Sequence, residues 1–489
     1  MMGKSKKLES RLFYHSISLE ERISGDHPLR KIKQVVDFSF IRSEVVGFYG
    51  ESGNTSIDPA VILKLMFLLF YENVSSEREL VKHLPSRLDW LWFCDYDLDD
   101  DIPNHSVLSK ARRRWGLEAF TEFFGNILRQ CIDAGLVDGS VVHIDSSMIN
   151  ANASKDKLRP VLQTVSKKLY HKLEKDSDKK PRQYTPVDPD ARLGKKYSQT
   201  TLGYKDTRAI DDKHGIVTAT VITPANVSDN KVLKETIQTH EANTESKAKI
   251  AVADKKYGTI DNYKHLKDND IKACISHQKY GFVKAGMFGH DEFKYSRAKD
   301  CFICPAGKKL LFYGLQHSRN GALHKRYRAK RETCAKCGFF DRCVSSATCG
   351  RQVIRNVNAE YVEWADNCLT GRKRKYYSRR RWHKAEGSFA DATNNHGYKR
   401  ARWRTIVKVQ IQNLLIAATQ NLRKLIKAVC TPTRTSGSQT KKAASSAVPA
   451  MAVLKSAKNC FYNALQKLCR KNDTFAGKNS YLVLLFRQP

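Results

Sequence analysis

Two acids close β-branched runs. Gly139-Ser140-Val141-Val142-His143-Ile144 ends on Asp145, and Lys249-Ile250-Ala251-Val252-Ala253 ends on Asp254. Such runs read as buried strands, and the ligands of open α/β sheets collect at strand ends. A third acid, Glu386, stands inside the most basic stretch of the chain, after Arg379-Arg380-Arg381 and before Lys399-Arg400. A strand-end aspartate can simply cap the next turn, and a glutamate among cations can simply be ion-paired. The alternative for all three is a set of metal-binding carboxylates facing a polyanion.

The polyanion follows from charge. The 489 residues carry a formal net charge of +36. Charge of that size repels itself unless it meets dense negative charge, and nucleic-acid phosphates supply it. The cations are clustered. Lys110, Arg112, Arg113 and Arg114 fall in one predicted helix, Lys255 and Lys256 follow the second acid, and Arg379, Arg381, Lys384, Lys399, Arg400 and Arg402 surround the third. Tyr376, Tyr377, Trp382, Tyr398 and Trp403 lie among them. Cations for phosphates and rings for bases are what nucleic-acid grooves use. Trp382 and Tyr257 are expected to pack in the core rather than to touch DNA.

The elements that must hold these residues are legible in outline. Residues 1–20 read as a loose basic arm and 21–135 as a helical DNA-binding domain. Asp58-Pro59 starts a buried apolar helix over 60–71, Ser76 with Glu79 gives a capping signal, and the basic helix opens near Ser106. This arrangement suits a helix-turn-helix-like reader or an ordinary bundle with a solvated basic face. From 136 to 430 strands and helices mix: strands near 139–145, 207–222, 249–254 and 271–275, and helices near 230–243 and 259–268. A long helix over about 405–428 has a broad apolar face. Residues 155–200 read as an exposed excursion, and 431–489 as a flexible linker and basic tail. No apolar h-region opens the chain and no run is long enough to span a membrane, so a cytoplasmic location is expected.

Residues 280–360 hold Cys301, Cys304, Cys334, Cys337, Cys343 and Cys349. Cys301-x-x-Cys304-Pro305 and Cys334-x-x-Cys337 have zinc-ribbon spacing. A structural zinc on Cys304, Cys334, Cys337 and Cys343 is one reading, and reduced structural thiols are the other.

Taken together, the motifs resemble the DDE-type transposases of bacterial insertion sequences, over about residues 27–428. His27-Pro28-Leu29 and Ile102-Pro103-Asn104-His105-Ser106 are similar to the family's helical N-terminal domain. Asp145-Ser146-Ser147, Ala253-Asp254-Lys255-Lys256-Tyr257-Gly258 and Ala385-Glu386-Gly387 resemble its three acid motifs, in order. The family sets its third acid in a Tyr, Arg, Glu, Lys series on a helix. Here the arginine's place holds Trp382 and the lysine's holds Thr393. Arg379, Arg381, Lys384 and Lys399 are the neighbours that could substitute.

The resemblance implies an α+β or α/β chain: a helical N-terminal domain, then a ribonuclease-H-like mixed-sheet catalytic core with the Cys-rich insertion between the second and third acids. It implies two Mg²⁺ or Mn²⁺ ions on Asp145, Asp254 and Glu386, holding attacking and leaving oxygens in line. It also implies double-stranded DNA, both transposon ends and target, as partner, and a homodimer in the DNA complex. Two rivals remain at this point: a DNA binder with an inactive core, and a nuclease without a joining step.

Overall fold

The computed structural model describes Met2 and residues 18–52, 54–160, 183–196, 199–277, 286–318, 321–344 and 350–430. The expected arm, except for its last residues, and the linker and tail over 431–489 lie outside the described residues, as does Cys349.

The central sheet is built on β1 (Val141–Asn150). The other strands are β2 (Arg192–Lys196), β3 (Gln199–Asp211), β4 (Val217–Pro224), β5 (Ile250–Ala253) and β6 (Lys272–Cys274). β3 pairs antiparallel with β1 on one edge. Its other edge is shared, with β2 pairing Gln199–Gly203 and β4 pairing Tyr204–Ile210, both antiparallel. On the far side of β1 lie β5 and β6, both parallel. The sheet is therefore mixed, and β1 sits at its centre with Val142 and Ile144 fully buried.

The N-terminal region is helical, as the sequence predicts. Asp58 accepts from the Ala60 amide at 3.0 Å and starts the helix Pro59–Tyr71. That helix is apolar on nearly every side and is buried accordingly. Ser76 Oγ accepts from the Glu79 amide, completing the predicted cap. The basic helix spans Ser106–Trp115, and Glu118–Asp133 follows. One hydrophobic core runs without a break from these helices into the sheet, joining Phe67, Trp115 and Phe124 to Tyr204, Ile210 and Leu415. The bridge between them is the long helix Ile406–Cys430, which packs on Glu118–Asp133, β4 and Pro59–Tyr71. Its side-chain amides also cover the open edge of β4. Asn421 binds both the N–H and C=O of Val217 at 2.8 and 2.7 Å, and Gln410 binds Ile222 N and Thr220 O. An edge strand's backbone groups would otherwise be buried without partners.

The Cys-rich segment is a small antiparallel sheet of its own. It comprises β7 (Lys294–Ser296), β8 (Cys301–Ile303), β9 (Lys309–His317), β10 (Leu323–Arg328) and β11 (Gln352–Asn356), paired in sequence order. The part of the expected 155–200 excursion that is described contains β2 and the start of β3. Polar, lysine-rich composition concealed this hairpin, whose second strand continues along β1. A Cβ on Gly203 would lie 1.9 Å from the Ile149 carbonyl oxygen. Only glycine lets β3 approach β1 that closely. Among the described residues, no helix is long and apolar enough to cross a membrane.

Candidate active site

The first two acids meet through strand register. Ile144 lies opposite Ala253 in the parallel pairing of β1 with β5. Asp145 is the next residue within β1, which runs on to Asn150 instead of ending at the acid as expected, and Asp254 is the first residue past β5, so the two lie at the same level on neighbouring chain segments about 5 Å apart. Tyr257 fastens the turn after Asp254 back onto β1. It is buried as expected, and its hydroxyl lies 2.5 Å from Ser146 Oγ, which in turn bonds Thr207 Oγ1 at 2.7 Å.

Glu386 arrives from the helical side. The helix Gly371–Arg381 leads into a single π turn, Trp382–Glu386, and then into Gly387–His396. Glu386 is exposed and forms no ion pair with a described residue. It is therefore not simply a salt-bridged surface glutamate. Burial raises the Asp145 carboxyl, Arg381 pulls it back down, and the negative charges of Asp254 and Glu386 push it up again. Both of the other acids thus act on Asp145 through space.

The turn-capping role is real as well. Asp254 Oδ1 accepts from the Lys255 amide at 2.8 Å and Asp145 Oδ1 from the Ser146 amide at 2.9 Å. Each uses one oxygen, which leaves the second for another partner. For Asp145 that partner is Arg381, whose Nη1 donates to Oδ2 at 3.0 Å. Among the described residues, no group of three His, Cys, Asp or Glu side chains stands close enough to hold a metal ion as placed. The Arg381 guanidinium beside Asp145 offsets the repulsion that Asp254 and Glu386 exert on that carboxyl.

The π turn changes which residue stands one turn before Glu386. In an α-helix the residue four before Glu386 stands one turn away on its face, and here that is Trp382. A π turn takes i→i+5 bonds, so the residue five before, Arg381, occupies that place instead. Trp382 is displaced outward and is 58% exposed, against the expectation of a core tryptophan. Thr393 turns its hydroxyl to Phe389 O at 2.7 Å and offers no cation.

Two networks, the first fully buried and the second partly exposed, hold this geometry, and sequence reading missed both. Arg208, opposite Asp145 in the β1–β3 register, pairs with Asp206 at 2.7 Å with both side chains fully buried. Arg208 also donates to Ser388 Oγ and Gln420 Oε1, so β3 is tied to the two helices that follow Glu386. On the other side His143 Nε2 and Arg380 Nε share Asp212 Oδ1 at 2.7 and 2.6 Å. Burial alone would raise Asp212, but His143 and Arg380 outweigh it and hold the carboxyl at about 2. This fixes the residue immediately before Arg381.

The expected DNA-facing cations divide. Lys110, Arg113, Arg114, Lys255, Lys256, Arg379, Lys399 and Arg400 are exposed. Lys399 and Arg400 run alongside the end of β1, with Asn150 N bonded to Lys399 O at 2.9 Å and Ala401 N to Asn150 O at 2.8 Å. Arg381 and Lys384 are half-buried, and Lys384 donates to Lys213 O. Arg112 and Arg402 turn inward. Arg112 is buried, paired with Glu77 and stacked 3.8 Å from the Trp403 ring centre. Arg402 donates to Leu69 O and lies over Phe70, and burial lowers it to about 10. Both join the helical region to the core and are not placed to reach a phosphate.

A family model described as Transposase domain (DUF772) matches residues 17–114, and one described as Transposase DDE domain matches residues 303–426. Both matched segments are thus transposase domains, the second of the DDE type. The first match covers most of the helical region, and the second runs from the Cys-rich sheet through Glu386 into the long helix. No curated protein matches the chain. Among solved structures it is similar to the piggyBac transposase in a synaptic complex with hairpin DNA, solved by cryo-EM. The identity is 10% and the TM-score 0.31, over 80% of this chain and 75% of that one. A likeness that distant carries no argument about the site.

Proposed function

We propose that this chain binds the ends of an insertion sequence and cuts and rejoins DNA at a site held by Asp145, Asp254 and Glu386. The observation that carries this reading is the parallel register that sets Asp145 beside Asp254. The influence of Glu386 on the Asp145 carboxyl supports it. The succession of antiparallel strands β1 to β4 and then the two parallel strands β5 and β6, with the acids on β1, just past β5 and at a helix, supports a ribonuclease-H-like core.

Carboxylate oxygens are the hard ligands that Mg²⁺ and Mn²⁺ take. Asp254 and Glu386 carry no ion pairs with described residues, so only Asp145 must release a partner. Two divalent ions held there would supply Lewis acidity and lower the pKa of an attacking water or 3′-hydroxyl. The chain itself does the positioning. Arg381, freed from Asp145, can present two N–H groups to a phosphate. Lys255, Lys256, Arg379, Lys399 and Arg400 hold flanking phosphates, and the exposed Trp382 and Tyr376 offer faces for a displaced base. Joining two ends to one target requires a homodimer in the DNA complex, working in the cytoplasm.

The test is cleavage of end-sequence DNA with Mg²⁺ or Mn²⁺. Asp145→Asn, Asp254→Asn and Glu386→Gln should each abolish cleavage and leave DNA binding within a few-fold. Near-normal cleavage by any one removes that residue from the site. A binding-only protein is the second reading, favoured by the Arg381 guanidinium on Asp145. Wild-type protein inert with either ion on pre-nicked and intact ends would establish it.

A further inference from the structure

The Cys-rich sheet has little to hold it together. Among the described residues its own hydrophobic core comprises seven buried side chains, among them Phe293, Phe302, Leu310 and Tyr327. Units this small need a staple, a metal or a disulfide.

Four thiols, from three separate stretches of chain, line one cavity of about 20 Å³: Cys304, Cys334, Cys337 and Cys343. All four are unpaired cysteines. Cys301, the nearest in sequence, is not among them. It is buried in β8 opposite Ser296, so a ribbon using both members of the first Cys-x-x-Cys pair is not what forms. The rest of the wall is largely apolar, with Leu310, Ala329, Phe340 and Val344. Such a wall offers a water few partners.

Two of the sulfurs already accept backbone N–H groups. Lys308 N donates to Cys304 Sγ at 3.3 Å and Arg351 N to Cys334 Sγ at 3.4 Å. The first arises in a tight turn in which Gly307 adopts φ +71° and Cys304 N bonds Lys308 O. The second pair is a turn too, with Cys337 N on Cys334 O at 3.1 Å. N–H groups aimed at sulfur are the contacts that orient a metal-binding side chain. The thiols line the cavity wall without yet closing on a common point. Rotations between staggered rotamers are the movement left to them.

We propose that Cys304, Cys334, Cys337 and Cys343 bind one tetrahedral zinc ion that staples the inserted sheet. Binding deprotonates the four thiols, and their protons pass to solvent. The inference stands apart from the carboxylate site and survives the failure of that reading.

The experiment uses full-length protein purified under reducing conditions. Elemental analysis should find about one zinc per chain. Titration with a mercurial should release it as four thiols react, and Co²⁺ exchanged in its place should give the intense sulfur-to-cobalt absorption of a four-thiolate site. Cys337→Ser and Cys343→Ser should lose at least half the bound zinc, while Cys301→Ser keeps it. Because a serine variant can misfold, the wild-type release and cobalt spectrum stand as independent measurements. Folded wild-type protein without metal, a Co²⁺ spectrum lacking sulfur bands, or equal loss of zinc in Cys301→Ser would overturn the proposal.

Discussion

Arg381 lies on Asp145, Nη1 to Oδ2 at 3.0 Å, at the point where a metal-binding carboxylate would need an open oxygen. The same arginine reaches that position because the π turn adds one residue before Glu386. If Arg381 moves from carboxylate to phosphate when DNA and metal arrive, Arg381→Gln has two opposite effects. Mn²⁺ should bind the DNA-free protein more tightly, and cleavage should fall by about 10²-fold, the usual cost of one transition-state donor. Calorimetric Mn²⁺ titration and a single-turnover cleavage assay measure the two. Unchanged values for both would make the pair a surface ornament.

Arg208 should matter for stability and not for metal. Replacing it with Met leaves Asp206 buried with its cationic partner gone. Losing one partner of a buried pair costs about 3–5 kcal/mol. Chemical denaturation reads the loss, and a change below about 1 kcal/mol would contradict the assigned role.

Asp212 gives a pH signature. Its folded carboxyl is held at about 2, below the ordinary value of 3.8. The stability it contributes is present above the ordinary value and is lost as pH falls through about 2. Allowing for its partial exposure, the contribution is about 1–2 kcal/mol. Asp212→Asn should be less stable at neutral pH, and its melting temperature should fall less steeply than wild type between pH 4 and pH 2. Parallel pH profiles would refute the His143–Asp212–Arg380 linkage.

Salt dependence separates the two kinds of cation. Substituting Lys255, Lys399 or Arg400 with Gln should each reduce the slope of log affinity against log salt by about 0.9. Arg112→Gln should leave that slope unchanged and lower the melting temperature instead. A reduced slope for Arg112→Gln would place that side chain on DNA.

Much of this was legible in the sequence, and what was not has physical reasons. The apolar runs located the strands that carry the first two acids, but β1 continues past Asp145 to Asn150, because its polar residues there still pair with β3. They could not say which strands are neighbours, because runs buried on both faces look alike whatever lies beside them. The order of the acids was readable, but the arginine was not, since counting four residues back assumes an unbroken α-helix. Asp206 and Arg208 read as ordinary charges in a polar strand, and only the fold shows both fully buried. Arg112 looked like its neighbours Arg113 and Arg114 because a charge run does not tell which member faces Trp403.

The account stands on three carboxylates sharing divalent ions beside a DNA strand. Anomalous scattering from Mn²⁺ in crystals of the protein bound to end DNA tests it most directly. Two peaks about 4 Å apart among Asp145, Asp254 and Glu386, with Arg381 moved off Asp145, are predicted. Saturating Mn²⁺ with no peak there, and Arg381 still on Asp145, would contradict it.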